Sequence, residues 1–216
     1  MAAASKDVTS YSHVGGICGV GNECTNKKFI NCTNTGRIAV YNQVKTRIGG
    51  ILGYTNVNPD GCVNKGRINY CRYNPKDNGG NGEIGGVVGY MNIATPTNLT
   101  NDASVRSTGS SPNCYTGGII GRTNTNTIGF LNCNVGTSGG DATVSGASEN
   151  AFGSTAAGLF CSDGNTAHAW DFTGCKIKNG AKCQKLAVTE DNFKNSLIGR
   201  KHASSITNAP VFVDSF

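Results

Sequence analysis

Two things are scarce in this sequence: charge and continuous apolar stretches. Asp, Glu, Lys and Arg make up 15% of the 216 residues, where ordinary domains carry about 25%. Gly, Asn, Thr and Ser fill the gap, a composition of turns and polar β-structure. No apolar run approaches the roughly 20 residues that a membrane-spanning helix needs, so no membrane span is read in this chain. Amphipathic runs of helical length are missing too, apart from residues 189–197, which makes the chain nearly all β. No Cys-x-x-Cys pair occurs among the ten cysteines, and the closest spacing is Cys18 to Cys24; that spacing argues against a zinc site. His13, His168 and His202 stand alone, without the spacing of a metal site or of a Cys–His nucleophile pair. No metal and no cofactor are therefore expected. The start, Met1-Ala2-Ala3-Ala4-Ser5-Lys6, lacks the apolar stretch of a signal peptide and reads as a cloning scar.

The formal net charge is +6. Lys176, Lys178, Lys182, Lys185, Lys194, Arg200 and Lys201 enrich the C-terminal part in positive charge. Such a balance attracts polyanions such as sulfated glycans or nucleic acid. A solvated basic end that limits self-association is the plainer reading, and no nucleic-acid partner is expected.

What the sequence does have is internal repetition. A glycine pair followed by two apolar residues appears as Val14-Gly15-Gly16-Ile17-Cys18-Gly19, Ile48-Gly49-Gly50-Ile51-Leu52-Gly53-Tyr54, Ile84-Gly85-Gly86-Val87-Val88-Gly89-Tyr90 and Gly117-Gly118-Ile119-Ile120-Gly121. A worn fifth copy is Ala156-Ala157-Gly158-Leu159-Phe160. Between these copies lies a second motif. Phe29-Ile30-Asn31-Cys32-Thr33-Asn34-Thr35-Gly36-Arg37-Ile38 pairs with Gly61-Cys62-Val63-Asn64-Lys65-Gly66-Arg67-Ile68, and looser copies surround Cys133 and Cys175. In the third unit the cysteine is lost, and Asn101-Asp102-Ala103-Ser104-Val105 is read in its place.

Units this short and glycine-rich bury nothing alone, so they must stack. The expected fold is all-β, a parallel β-solenoid of about five irregular repeats of 32–40 residues. Residues at one repeat position then form ladders along the axis, with neighbouring coils about 4.8 Å apart. Cys32, Cys62, Cys133 and Cys175 form a ladder of buried small hydrophobes. Gly16, Gly50, Gly86 and Gly118 form another. Cys18, Leu52, Val88, Ile120 and Phe160 are a core ladder, and Asn34 and Asn64 are turn residues whose amides stack. Tyr54 and Tyr90 occupy equivalent positions and stack offset. Loops at 72–83, 95–112 and 136–148 absorb the differences in repeat length.

The glycine-pair motif and the Asn-Cys-x-Asn-x-Gly-x-Ile motif together resemble the GLUG-type repeat of bacterial surface proteins. The resemblance covers residues 12–180. It implies a solenoid at the cell surface, in adhesin-like proteins of the Bacteroidetes kind, with architectural repeats and no catalytic residues. The segment Leu186-Ala187-Val188-Thr189-Glu190-Asp191-Asn192-Phe193 is similar to sequences that follow such arrays in Bacteroides proteins.

The domain plan is an N-terminal segment at 1–11, the solenoid at 12–180 and a C-terminal cap at 181–216. Thr189 is read as the N-cap of a short helix at 189–198 that closes the C-terminal end, with Phe193 and Leu197 on its inner face. The tail Val211-Phe212-Val213 adds a strand. Cys24, Cys71, Cys114, Cys161 and Cys183 fall off the cysteine ladder, so one or two pairs bridge if the protein is exported.

Several signals for chemistry resolve into architecture. Gly15-Gly16-Ile17-Cys18-Gly19-Val20-Gly21 lacks the Lys-Ser/Thr of a phosphate-binding loop. Thr123-Asn124-Thr125-Asn126-Thr127 is not repeated on other coils, as an ice-binding face requires. Asp60, Asp77, Glu83, Asp102, Asp141, Asp163 and Asp171 share no repeat position, whereas a polysaccharide-cleaving β-helix needs clustered carboxylates. Trp170 and His168, in His168-Ala169-Trp170-Asp171-Phe172, are candidate ligand-binding residues together with Tyr54 and Tyr90. An outward-facing Trp170 makes a sugar platform, and an inward-facing one is packing under the cap. The expected function is a non-enzymatic, secreted or cell-surface adhesin or stalk module, part of a larger surface protein or assembly. It binds a surface glycan or protein ligand. The alternatives are a carbohydrate-active β-helix enzyme and a glycan-binding module.

Overall fold

A computed structural model describes residues 10–21, 29–41, 45–71, 81–93, 95–107, 114–123, 125, 127–136, 143–145, 157–162, 169–184, 186–199 and 205–216. Among these residues the chain is all-β and forms a parallel β-solenoid. Each coil begins with a strand that ends at the glycine pair. In sheet I these strands are Ser12–Gly15, Lys45–Gly49, Asn81–Gly85, Cys114–Gly117 and Ala157–Gly158. The chain then reverses within two residues and enters sheet II, built from Cys18–Gly21, Leu52–Thr55, Val88–Met91 and Ile120–Thr123. It next runs through sheet III, which stacks Thr33–Asn34, Val63–Asn64, Thr100–Asn101, Asn134–Val135, Lys176–Lys178 and Val211–Val213. Sheet IV follows, with Ile38–Tyr41, Ile68–Cys71, Val105–Ser107, Thr143–Ser145, Lys182–Cys183 and a final Leu186–Ala187. From the first to the fifth strand of sheet I the chain makes four turns. Late in the chain a further sheet, Thr127–Gly129, Ala169–Asp171 and Ile206–Thr207, covers the passage from sheet II to sheet III. Among the described residues no helix is long and apolar enough to cross a membrane.

The apolar interior divides in two. Sheets II and III enclose Leu52, Val88, Ile120, Leu99, Cys133, Phe130, Phe160 and Phe172, and the three phenylalanine rings pack on one another at 5.0–5.5 Å. Sheets I and IV enclose Ile48, Ile84, Ile68, Tyr70, Val105 and Cys114.

The second motif is threaded by two asparagine positions with different tasks. Asn31, Gly61, Asn98, Asn132, Gly174 and Asn208 all have positive φ, between 47° and 68°. They follow the bridged residues Ile30, Asp60, Thr97 and Leu131 in the first four of these coils, so they occupy one repeat position. Asn and Gly are the residues that tolerate this left-handed turn. Three residues later comes the buried column Asn34, Asn64 and Asn101. Asn34 Nδ2 donates to Asn64 Oδ1 at 2.9 Å, and Asn64 Nδ2 donates to Asn101 Oδ1 at 2.8 Å. Each amide also bonds to the backbone two residues on, at Gly36, Gly66 and Ala103.

This column, together with the backbone oxygen of the next coil, excludes a side chain at the second glycine of each pair. A Cβ on Gly50 would lie 2.3 Å from Asn64 Cγ, and one on Gly86 would lie 2.3 Å from Asn101 Cγ. At the fourth coil the column changes to Val135, whose Cγ1 would lie 3.3 Å from a Cβ on Gly118, but Leu159 O at 1.9 Å still excludes one. One coil further the glycine itself is gone: Leu159 stands there.

Three expectations need correction. The fifth copy is offset by one residue: Gly158 pairs with Gly117, the first glycine of its pair, and Cys161 rather than Phe160 pairs with Ile120. The third copy of the second motif begins earlier than Asn101. Asn98-Leu99-Thr100-Asn101 matches Asn31-Cys32-Thr33-Asn34 in register, and Leu99 takes the cysteine rung. Much of the loop expected at 95–112 is therefore ladder. Finally, residues 189–198 form no α-helix; the helical piece is one 3-10 turn, Phe193–Asn195. Asn192 fastens its start, accepting from the Thr189 N–H and donating to Ala187 O. A helix cannot continue because the chain must extend and hand its backbone to the coil below. The N–H groups of Leu159 and Phe160 donate to Ser196 O and Leu197 O, and Ile198 bridges Cys161. Val211–Val213 does add a strand, parallel to Lys176–Lys178.

Candidate functional site

The solenoid gathers one polar cluster that its repeat pattern alone does not announce. On sheet I, His13, Arg47, Glu83 and Tyr115 are successive rungs of one ladder. On sheet II, Val20, Tyr54, Tyr90 and Arg122 form another. The reversal at the glycine pair brings the two ladders together. Glu83 is wholly buried, with Arg47 Nε at 2.6 Å and Arg122 Nη1 at 3.1 Å from its two carboxylate oxygens. The Arg47 guanidinium also lies over Tyr11, Tyr90 and Tyr54, at 4.2, 4.1 and 4.8 Å from the ring centres. Arg122 covers Tyr115 at 4.8 Å. Tyr54 and Tyr90 stack at 5.5 Å, and His13 continues the row at 5.6 Å from Tyr54.

Burial and the neighbouring Arg47 charge hold the His13 imidazole below its ordinary value. Burial, and then the Glu83 charge, raise the Tyr90 phenol. The cluster is thus an acid neutralised by two arginines that are sandwiched among aromatic rings. It fastens three consecutive coils, and its exposed parts are Tyr11, His13, Tyr54 and the edges of the arginines. Tyr54 and Tyr90 were expected from their shared repeat position. Arg47, Glu83 and Arg122 were not, although opposite charges three residues ahead of consecutive Gly50 and Gly86 are the pattern of a cross-strand pair.

Trp170 is 1% exposed, so it offers no ring face to solvent. It lies between Ile128 and Ile206 in the short sheet beside the C-terminal closure, and its indole N–H has no partner among the described residues. His168 lies outside the described residues. Cys62, Cys133 and Cys175 are buried and Cys32 is half-buried. The Cys133 N–H donates to Cys175 Sγ at 3.3 Å, and the thiols donate to backbone carbonyls such as Phe29 O and Phe130 O. Burial raises the Cys62 thiol to about 11, and burial likewise lifts Cys133 well above the thiol range. Cys18 and Cys183 are free thiols too, and burial takes Cys183 to about 12. Cys114 and Cys161 are buried; Cys24 lies outside the described residues.

Outside the Glu83 cluster, four of the described acids each have a polar partner of their own. Asp60 accepts from Asn98, Asp171 from Thr173 and Asn208, and Asp214 from Asn179. Asp102 lies 4.0 Å from Lys178. Among the described residues no three His, Cys, Asp or Glu side chains gather as metal ligands would. Comparison with known proteins finds no matching family model, curated protein or solved structure.

Proposed function

We propose that this chain is a non-enzymatic module of an extracellular, cell-surface protein, an adhesin or stalk segment that binds a host or microbial surface ligand and belongs to a larger surface assembly. The observation that carries the reading is how the coils use their reactive side chains. Among the described residues the thiols of Cys62, Cys133 and Cys175 are bonded to backbone carbonyls, and the one wholly buried carboxylate, Glu83, is taken up by two arginines. The GLUG-type repeat resemblance points the same way. A regular scaffold with loops of unequal length suits presentation of a surface rather than turnover of a substrate. A second reading, the glycan-binding module, is favoured by a row of exposed cations described below.

The test is to incubate the purified chain with intact host and bacterial cells and with a panel of polysaccharides. Saturable cell binding without release of reducing ends is expected. Release of reducing ends that scales with protein concentration would overturn the reading in favour of a carbohydrate-active enzyme.

A further inference from the structure

Seven of the eleven described Lys and Arg residues lie on one corner of the solenoid, where sheet III turns into sheet IV. The register sets them in rows. Directly after the asparagine column come Thr35, Lys65, Asp102, Gly136, Lys178 and Val213. The next row, two positions on past the Gly36, Gly66 and Ala103 turn in the first three coils and further on in the later ones, is Arg37, Arg67, Ser104, Thr143 and Lys182. The next outward row is Ala39, Asn69, Arg106 and Ser145. Arg37, Lys65, Arg67 and Arg106 are all exposed and occupy three consecutive coils. With the Asn69 amide turned to satisfy both its groups, Asn69 accepts from Arg37 Nη2 at 3.1 Å, which spreads the Arg37 guanidinium across the coil below. Asp102 stands on the rung beside Lys65 in the first row, and Lys176, Lys178 and Lys182 lie on the same corner two coils beyond Arg106, near Asp102 and Asp214.

We infer that this corner binds a linear anionic polysaccharide, one bearing repeated sulfate or carboxylate groups; the inference rests on the surface-binding reading above and names its ligand class. Arg37 and Arg67 lie about 4.8 Å apart on successive rungs of one row, with Lys65 and Arg106 in the rows on either side; these four form a charged patch whose self-repulsion is relieved by a bound polyanion. Arginine is suited to it because its planar fork pairs two-pronged with sulfate or carboxylate. Among the cations stand the short hydroxyl and amide side chains Thr35, Ser104 and Asn69, which suit sugar hydroxyls, and one carboxylate, Asp102, which lies 4.0 Å from Lys178. The stretch from Arg37 to Arg106 offers no aromatic ring in these rows, whereas single-stranded nucleic acid is held by base stacking on such rings.

The experiment measures binding of the whole chain to heparin, to polygalacturonate, to neutral dextran and to single-stranded oligothymidylate. Three variants accompany the native protein: Arg37→Ser/Arg67→Ser, Lys65→Ser/Arg106→Ser, and Lys45→Ser/Lys194→Ser, which removes the same charge elsewhere. Salt-sensitive binding to heparin or polygalacturonate is expected, and which of them binds identifies sulfate or carboxylate. Either corner variant should bind about tenfold more weakly, with Lys45→Ser/Lys194→Ser unchanged. Equal loss in all three variants, binding to oligothymidylate alone, or no binding to either polyanion overturns the inference. Cell binding by the native protein in the last case would leave the surface-module reading standing; loss of both would remove it.

Discussion

Asn64 makes four hydrogen bonds at zero exposure: it donates to Gly66 O and Asn101 Oδ1 and accepts from Asn34 Nδ2 and the Gly66 N–H. Alanine there would leave amides on both neighbouring coils without a partner in the interior. A loss of roughly 2–4 kcal/mol is expected for Asn64→Ala, read as a lower denaturant midpoint. Glycines divide equally sharply. A Cβ on Gly50 would fall 2.2 Å from Gly86 O, while one on Gly129 meets nothing within 4 Å. Gly50→Ala should therefore fail to fold or melt far below the native protein, and Gly129→Ala should melt within a few degrees of it. Comparable melting of the two variants would refute the packing account of the glycine pair.

At the scale of a ladder, the cysteine column behaves as a graded series. Burial keeps Cys62 protonated up to about 11 and Cys183 up to about 12, and the thiolate is the reactive form. Iodoacetamide at mildly alkaline pH should label the half-buried Cys18 and Cys32 first, with Cys62, Cys133, Cys175 and Cys183 protected until the chain unfolds. Peptide mass spectrometry reads the order, and early labelling of Cys133 would contradict it. The raised thiols also set a sign with pH. The unfolded thiols release their protons near 9 and the folded ones at 11 or above, so the stability these groups contribute declines as pH rises through that window. The C-terminal closure belongs to the same scale. Its 3-10 turn is short because the residues after it serve as rungs, and sheet IV ends where Leu186–Ala187 pairs antiparallel and leaves no parallel edge to extend.

At the scale of the whole molecule, charge among the described residues is distributed by face. Glu83 with Arg47 and Arg122 ties three coils on one side, and seven of the eleven described cations gather on the corner of sheets III and IV. Glu83→Gln leaves two largely covered guanidiniums facing a neutral amide. A cost of about 2–4 kcal/mol is expected, visible as a lower melting temperature; an unchanged melt would mean that the arginines reach solvent without penalty. His13, at the end of this ladder, titrates below its ordinary value because of burial and then Arg47. Below about 6.5 the unfolded imidazole takes up a proton that the folded one refuses. Stability should therefore fall as pH drops from 7 to 5, and His13→Phe should flatten that part of the melting-versus-pH curve.

The parallel solenoid, its glycine pairs, the cysteine rungs and the stacked Tyr54 and Tyr90 were legible in the amino-acid order, because a ladder writes itself as residues of one kind at one spacing. The third rung was legible as well, in Asn98-Leu99-Thr100-Asn101, once leucine is allowed to stand for cysteine in an apolar slot. Tertiary structure decided the rest. The offset at Gly158, the fate of residues 189–198 and the inward Trp170 depend on which backbone groups the coil below leaves open. The Arg47–Glu83–Arg122 cluster and the Arg37–Lys65–Arg67–Arg106 corner depend on the reversal at the glycine pair and on coil register. Those charges lie up to 75 residues apart in the chain and become neighbours only because each coil returns to the same place.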